Sequence, residues 1–210
     1  MLLAIDTSAG TSVAVVDGGR VLSEASDPGA RGHAEQIGIL IERALADAQA
    51  TPQDITGVVS GMGPGPFTGL RVGIAAARAF AAGRDIPVHP VASHDAVAFG
   101  RGLPTLVVTD ARRREVAWST YNKIGPSGLP VLLSGPHLAH PEDLATAVDG
   151  YATFDRIDAT QISAASLGLV AELLLKAKRS TGPDQPLYLR APDVTLPGAP
   201  KPTSQGRGTG

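Results

Sequence analysis

The chain carries the same local pattern twice, and this repeat restricts its fold more than any other feature. Residues 2–5 form a short apolar run that ends at Asp6, and residues 104–109 form a second such run that ends at Asp110. Each Asp is followed by a few polar residues and then by a second run typical of a β-strand. The repeat predicts a tandem α/β duplication in which each half opens with a β-hairpin.

Helical patterns are unevenly distributed between the two halves. Apolar residues recur at helical spacing in residues 33–49 and again in residues 163–178, while residues 68–83 are rich in Gly and Ala. The second half has fewer helical segments than the first. We therefore predict one subdomain over residues 1–102 and a second, reduced in helix, over residues 103–193. Residues 194–210, rich in Pro, Gly, Ser and Thr, are predicted to be a disordered tail.

The segment GMGPGPFTGLR, residues 61–71, indicates a sharp loop that runs into a thin helix. It lacks the Gly-Lys-Ser/Thr ending of a P-loop. Two interpretations stay open: a tight turn beneath a close helix contact, or a cradle whose backbone N–H groups bind an anion. The candidate ligand or anion contacts are Asp6, Gly63, Gly65, Thr68, Asp110 and Arg112.

Composition narrows the classes of function. A formal net charge of −2 gives no field for non-specific nucleic-acid binding. The absence of cysteine excludes disulfides and a Cys nucleophile, and fits a cytoplasmic location. No apolar run is long enough to cross a membrane. The five histidines lack the spacings of a metal site, and no GxSxG motif indicates a serine nucleophile. We predict neither a metal site nor a catalytic residue.

Four blocks of the sequence resemble the bacterial TsaB (YeaZ) family. They read IDTS, GMGPGPFTGLRVGIAAARA, DARRREVAWSTY and YLRAP, and they follow one another in the family's order. This family belongs to the actin-like, Hsp70-like and sugar kinase-like superfamily. The resemblance therefore implies two tandem actin-like ATPase (ribonuclease H-like) subdomains, which agrees with the duplicated hairpin.

The resemblance also implies a function without catalysis by this chain. Members of the family are scaffolding and dimerisation subunits for N6-threonylcarbamoyl modification of the adenosine beside the anticodon in tRNAs that read A-starting codons. They act with a TsaD-like catalytic paralogue and a TsaE-like ATPase, contact tRNA indirectly through the complex, and form homodimers when alone. The paralogue binds a metal through two histidines, and Ser93 and Val97 stand at those two positions here.

The family docks through the two helices of its first half, which correspond to residues 33–49 and 68–83. The partner-interface residues implied here are Ile37, Leu40, Ile41, Leu70, Gly73 and Ala77. No cofactor is expected for this chain alone, although ATP or ADP is a candidate ligand of the complex. The competing hypothesis is an ATPase or phosphotransferase of the actin-like fold that uses Asp6 and Asp110.

Overall fold

The computed structural model describes residues 1–27, 29 and 32–190. Its first sheet contains β1 (Leu2–Asp6), β2 (Thr11–Asp17), β3 (Arg20–Asp27), β4 (Gly57–Gly61) and β5 (Val88–Val91). The strand order is β3-β2-β1-β4-β5. β1 is antiparallel to β2 and parallel to β4, so the opening hairpin lies in the middle of the sheet.

The second sheet repeats this arrangement with four strands. It contains β6 (Thr105–Asp110), β7 (Val116–Asn122), β8 (Val131–Ala139) and β9 (Asp155–Asp158), in the order β8-β7-β6-β9. β6 is antiparallel to β7 and parallel to β9, as β1 is to β2 and β4. The predicted duplication is therefore confirmed. β9 escaped prediction because its sequence, DRID, contains one apolar residue.

Helices cover both faces of the first sheet. The described helices are α1 (His33–Asp47), α2 (Phe67–Arg84), α3 (Ser93–Ala98), α4 (Leu144–Ala147) and α5 (Ala164–Lys176). Of these, α4 packs on the second sheet through Leu144. α1 and α2 pack on one face, where their apolar residues meet Leu3, Ile5 and Val13. α5 packs on the opposite face against Ala4 and Val16. All five residues of β1 are buried, as expected for a central strand between two helical layers.

The packing of α5 crosses the predicted division of the chain. This helix belongs to the second half in sequence but covers the first sheet, and a Cβ added at Gly168 would lie 2.8 Å from Val16 Cγ2. The boundaries 1–102 and 103–193 stay a prediction, since a helix layer is shared between the halves. The predicted tail, 194–210, lies outside the described residues. Among the described helices none is long and apolar enough to cross a membrane.

Candidate functional site

The Gly-Pro loop between β4 and α2 packs directly on the turn that follows β1. A Cβ added to Gly61 would overlap the Asp6 carboxylate, and one added to Gly65 would lie 2.7 Å from Ser8 Cα. Gly61 and Gly65 are therefore required for the close approach of two segments of this chain. At these two positions the structure favours the tight-turn interpretation over the ligand cradle.

Thr7 docks its side chain into the first turns of α2. Its hydroxyl donates to the Gly69 carbonyl at 2.7 Å and accepts the Gly73 N–H at 3.0 Å. A Cβ at Gly73 would overlap this hydroxyl and would lie 3.0 Å from the Thr7 methyl carbon. The small size of Gly73 thus serves a contact within the subunit. The assignment of Gly73 to a partner interface stays a prediction.

The Asp6 carboxyl group is fully engaged inside the protein. Oδ1 accepts the Ser8 N–H at 2.8 Å and the Ser8 hydroxyl at 2.5 Å, and Oδ2 accepts the Ser93 hydroxyl at 2.5 Å. Asp6 is only 1% exposed, and this burial raises its pKa against the opposing effect of the hydrogen bonds. The Asp6 oxygens therefore organise the turn, and the role of Asp6 as a ligand contact stays a prediction.

Ser93 joins this turn to the Gly-Pro loop. Its hydroxyl accepts the Gly63 N–H at 3.0 Å while donating to Asp6, and its own N–H donates to the Gly63 carbonyl at 2.7 Å. Gly63 is buried and has a φ of +89°. It therefore supplies a backbone conformation that favours glycine, and its role as a ligand or anion contact stays a prediction.

Replacing Ser93 by alanine should lower the free energy of unfolding by about 2 kcal/mol, because the Gly63 N–H and an Asp6 oxygen would lose their buried partner. Urea denaturation measures this change. Ser60→Ala is the matched control, since the Ser60 hydroxyl is buried with no hydrogen-bond partner. The control should be neutral or stabilising, and equal losses in the two variants would contradict the assigned role of Ser93.

A second buried polar group connects the two halves of the chain. His94, on α3, lies between Ser119 and Thr109 of the second sheet, with Nδ1 2.8 Å from the Ser119 hydroxyl and Nε2 2.9 Å from the Thr109 hydroxyl. Burial lowers the pKa of His94 to about 3, so its imidazole is neutral at physiological pH. His94 acts as a neutral polar link between the first subdomain and the second sheet.

The remaining predicted contacts fall on two neighbouring cavities. Gly65, Thr68 and Arg112 line a cavity of about 600 Å³. Asp110 and Arg112 line a cavity of about 350 Å³ that Thr7 and Ser8 also border. The structure thus brings three predicted contacts together at one cavity, while Asp6 lines neither. Within the described residues, no three His, Cys, Asp or Glu side chains are grouped so that they could hold a metal ion.

The predicted interface residues face the interior of the subunit. Ile37, Leu40, Leu70, Gly73 and Ala77 are buried, and Ile41 is half-buried. Ile37, Leu40, Ile41 and Ala77 help to cover the first sheet, and the assignment of the six residues to a partner interface stays a prediction. The exposed face is different: it contains Gly38 and Ile39 of α1 together with Ala75, Ala79 and Ala82 of α2. Ile39 is 58% exposed.

Comparison with known proteins identifies the family. A family model described as TsaD, tRNA N6-adenosine threonylcarbamoyltransferase, matches residues 20–145, more than half of the chain. An uncharacterized protein of Mycobacterium tuberculosis is 42% identical over 180 residues, which cover 83% of this chain and 82% of that protein. The Bacillus subtilis tRNA threonylcarbamoyladenosine biosynthesis protein TsaB is 33% identical over 124 residues, or 57% of this chain and 54% of that protein.

A solved structure gives the same result. YeaZ from Pseudomonas aeruginosa is 25% identical, superposes with a TM-score of 0.72, and covers 90% of this chain and 99% of its own. The chain belongs to the TsaB/YeaZ branch of the TsaD-like family. Its two sheets form the duplicated actin-like fold of that group. Membership supports a role in the biosynthesis of threonylcarbamoyladenosine in tRNA.

In this TsaB/YeaZ chain, residues 182–190 form a strap along α2. Arg78 pairs with Asp184 at 2.8 Å, and Arg71 Nε donates to the Tyr188 hydroxyl at 2.9 Å. The Leu187 N–H donates to the Met62 carbonyl at 2.8 Å. Sequence reasoning used YLRAP only as a family signature and missed these contacts. The signal was the pair of arginines seven residues apart on one face of α2.

Proposed function

We propose that this chain is a non-catalytic scaffolding subunit for N6-threonylcarbamoylation of the anticodon-adjacent adenosine in tRNAs reading A-starting codons. In this proposal it binds a TsaD-like catalytic protein through the exposed face of α1 and α2. The observation that carries the proposal is the position of Ile39, a 58% exposed isoleucine on a helix whose neighbour exposes a row of alanines. An exposed apolar surface of this kind is typical of an interface.

The shape of this face suits the docking of helices. α1 and α2 both pack on the first sheet and contact one another, so their outer faces form one surface. Ala75, Ala79 and Ala82 follow one another at spacings of four and three residues and lie on one side of α2. Short side chains permit close interhelical distances. We therefore expect helices of the partner to pack across these alanines, with Ile39 filling a pocket of the partner.

Local chemistry at Ser93 supports a role without catalysis. Ser93 and Val97 stand where the family resemblance puts the metal ligands of the catalytic paralogue. The Ser93 hydroxyl is engaged with Asp6 and Gly63. The competing ATPase hypothesis is disfavoured by the burial of Asp6, whose oxygens are all used internally. Calorimetry with Mg-ATP separates the two proposals, because the ATPase requires tight binding that Asp6→Ala abolishes.

Changing Ala79 to arginine should abolish co-purification with the TsaD-like protein while the fold persists, because the long charged side chain separates the helices. Ala145→Arg, at an exposed alanine of α4, is the control and should pair normally. Circular dichroism checks that both variants are folded, and tRNA modification by the reconstituted proteins is the second readout. Normal pairing and modification by Ala79→Arg would refute this docking surface.

The exposed face of α1 and α2 also determines the oligomeric state that we propose for the isolated chain. We propose that the isolated chain forms a homodimer through it, so light scattering should show Ala79→Arg to be a monomer under conditions where the unmodified chain is a dimer. A TsaE-like ATPase completes the proposed complex, and tRNA contacts this chain indirectly. In this proposal the chain needs no cofactor to bind the TsaD-like protein. Any ATP or ADP that is required acts on the assembled complex.

A further inference from the structure

The outer side of α1 carries negative charge around an apolar centre. Four exposed residues recur there at helical spacing and share one side of the helix: Glu35, Gly38, Ile39 and Glu42. These four residues are called the acidic stripe below. Each glutamate lies about one helical turn from Ile39, one on either side of it. A Cβ added at Gly38 would meet no atom within 4 Å, so the space beside Ile39 is open.

The two carboxylates of the acidic stripe are available to a partner. Among the residues that the structure describes, neither Glu35 nor Glu42 has a hydrogen-bond or ion-pair partner. The cation of the same helix, Arg43, pairs with Asp47 at 3.6 Å, so these two charges offset each other. Glu35 lies in the first turn, where a carboxylate also interacts favourably with the helix dipole. Glu42 lies in mid-helix, where this explanation does not apply.

A second copy of this chain is a poor match for these carboxylates. The arginines of α1 and α2 are the cations that its docking face would bring, and each of them is already engaged within its own subunit: Arg43, Arg71, Arg78 and Arg84. Two of these four, Arg43 and Arg78, are paired with carboxylates. The acidic stripe therefore complements a different protein, one whose facing helix is basic, better than it complements another copy of itself.

We propose that the acidic stripe selects a basic helix of the TsaD-like partner over a second copy of this chain. Lysine or arginine side chains on that helix pair with Glu35 and Glu42, on either side of the pocket that receives Ile39. Complementary charges at the edge of an apolar contact fix the choice and orientation of a partner more than they raise affinity. The inference rests on the proposed function, because it assigns partner specificity to the same docking face.

Charge reversal at both glutamates tests the selection on the full-length chain. Because a single exposed ion pair contributes little, Glu35→Lys and Glu42→Lys are combined. This double variant should bind the TsaD-like protein at least about tenfold more weakly, since repulsion replaces attraction at two places. The double variant with glutamine at both positions loses the charge without reversing it and should show a smaller loss. Calorimetry measures both affinities, and circular dichroism checks that the variants are folded.

Two controls separate partner selection from a general effect of charge. Glu142→Lys combined with Asp149→Lys makes the same change of net charge at two exposed acidic residues of the second half, and this variant should bind the TsaD-like protein normally. The self-association of each variant is measured by analytical ultracentrifugation without partners. The dimerisation constant of the Glu35 and Glu42 variants should stay within about threefold of that of the unmodified chain, because a second copy brings no free arginine to the acidic stripe.

The outcomes distinguish this inference from the docking surface on which it rests. Weaker binding to the TsaD-like protein with unchanged self-association supports the selection. Equal weakening of both complexes would show that a second copy also supplies cations to Glu35 and Glu42, and would overturn it. Normal binding of the charge-reversed variant, in a system where Ala79→Arg abolishes pairing, would overturn the role of the acidic stripe and leave the docking surface intact. Normal pairing by Ala79→Arg would instead refute the docking surface and the inference together.

Discussion

Replacing Gly73 by alanine is expected to lower the free energy of unfolding by about 3 kcal/mol, although alanine is the better helix former. The added Cβ would overlap the Thr7 hydroxyl, which must then move away from the Gly69 carbonyl and the Gly73 N–H. Overpacking lowers the free energy of unfolding by about 1–3 kcal/mol, and the loss of a buried hydrogen bond lowers it by about 1 kcal/mol more. Urea denaturation followed by circular dichroism measures the loss.

The same helix offers a matched control for this variant. A Cβ added at Gly83 meets no atom within 4 Å, so Gly83→Ala should stabilise the protein by about 0.5–1 kcal/mol through helix propensity alone. Thr7→Ala in the Gly73→Ala background removes the clash, so the two losses should be less than additive by about 1 kcal/mol or more. An unfolding midpoint for Gly73→Ala equal to that of the unmodified chain would show that Thr7 does not restrict this position.

Gly73 also shows where sequence reasoning reached its limit. A run of glycine and alanine indicates that something approaches the helix closely, and this much was predictable. The approaching group, however, is Thr7, which lies 66 positions earlier in the chain. Composition cannot distinguish a contact within the subunit from a contact with a partner. In the structure Gly73 is buried against Thr7, whereas Ala75, Ala79 and Ala82 are exposed.

The duplicated hairpin was predictable because, unlike the contact of Gly73, it is formed by residues that are close together in the sequence. Each first strand is a continuous apolar run that ends at Asp6 or Asp110, and the partner strand follows within a few residues. The position of α5 was not predictable in this way. Its apolar stripe indicates that one face is buried, but the stripe does not specify which sheet it covers. That choice depends on Gly168 fitting against Val16 across most of the chain length.

In the candidate site, too, the features encoded by neighbouring residues were predictable and those that depend on distant residues were not. Gly65, Thr68 and Arg112 were predicted as contacts from loop composition and charge, and the structure brings them to one cavity. The strap that completes this cavity with Tyr188 and Arg190 was not anticipated, because its packing on α2 depends on long-range pairs such as Arg78 with Asp184. Local motifs thus indicated half of the cavity, and tertiary contacts supplied the other half.

Acidification from pH 7 to pH 5 is expected to destabilise the protein by about 2 kcal/mol through His94 alone. Its pKa is lowered by burial from 6.5 to about 3, so over this interval the unfolded chain binds a proton that the folded protein does not. Stability therefore rises with pH between these two pKa values and is lost as pH falls below 6.5. Urea denaturation at a series of pH values measures the slope.

The variant His94→Gln isolates this contribution, because an amide can still exchange hydrogen bonds with the Ser119 and Thr109 hydroxyls but does not titrate. Burial also lowers the pKa of His89, and it raises the pKa of Asp6, which acts in the opposite direction. His89 and Asp6 are present in both the unmodified chain and His94→Gln. The contribution of His94 is therefore the difference between the two proteins in the slope of unfolding free energy against pH. Parallel stability curves from pH 7 to pH 5 would show that His94 is not held neutral by burial.

Truncation of the same residue tests its role as a link between the two halves. His94→Ala should cost about 3–4 kcal/mol at pH 7, since it opens a cavity and leaves the buried Ser119 and Thr109 hydroxyls without their partner. His94→Gln should recover a large part of this loss by restoring both contacts. Because the ring connects α3 to the second sheet, the loss should appear equally in probes of both halves. Trp118 fluorescence reports on the second sheet, and its unfolding midpoint in His94→Ala should match that measured by circular dichroism.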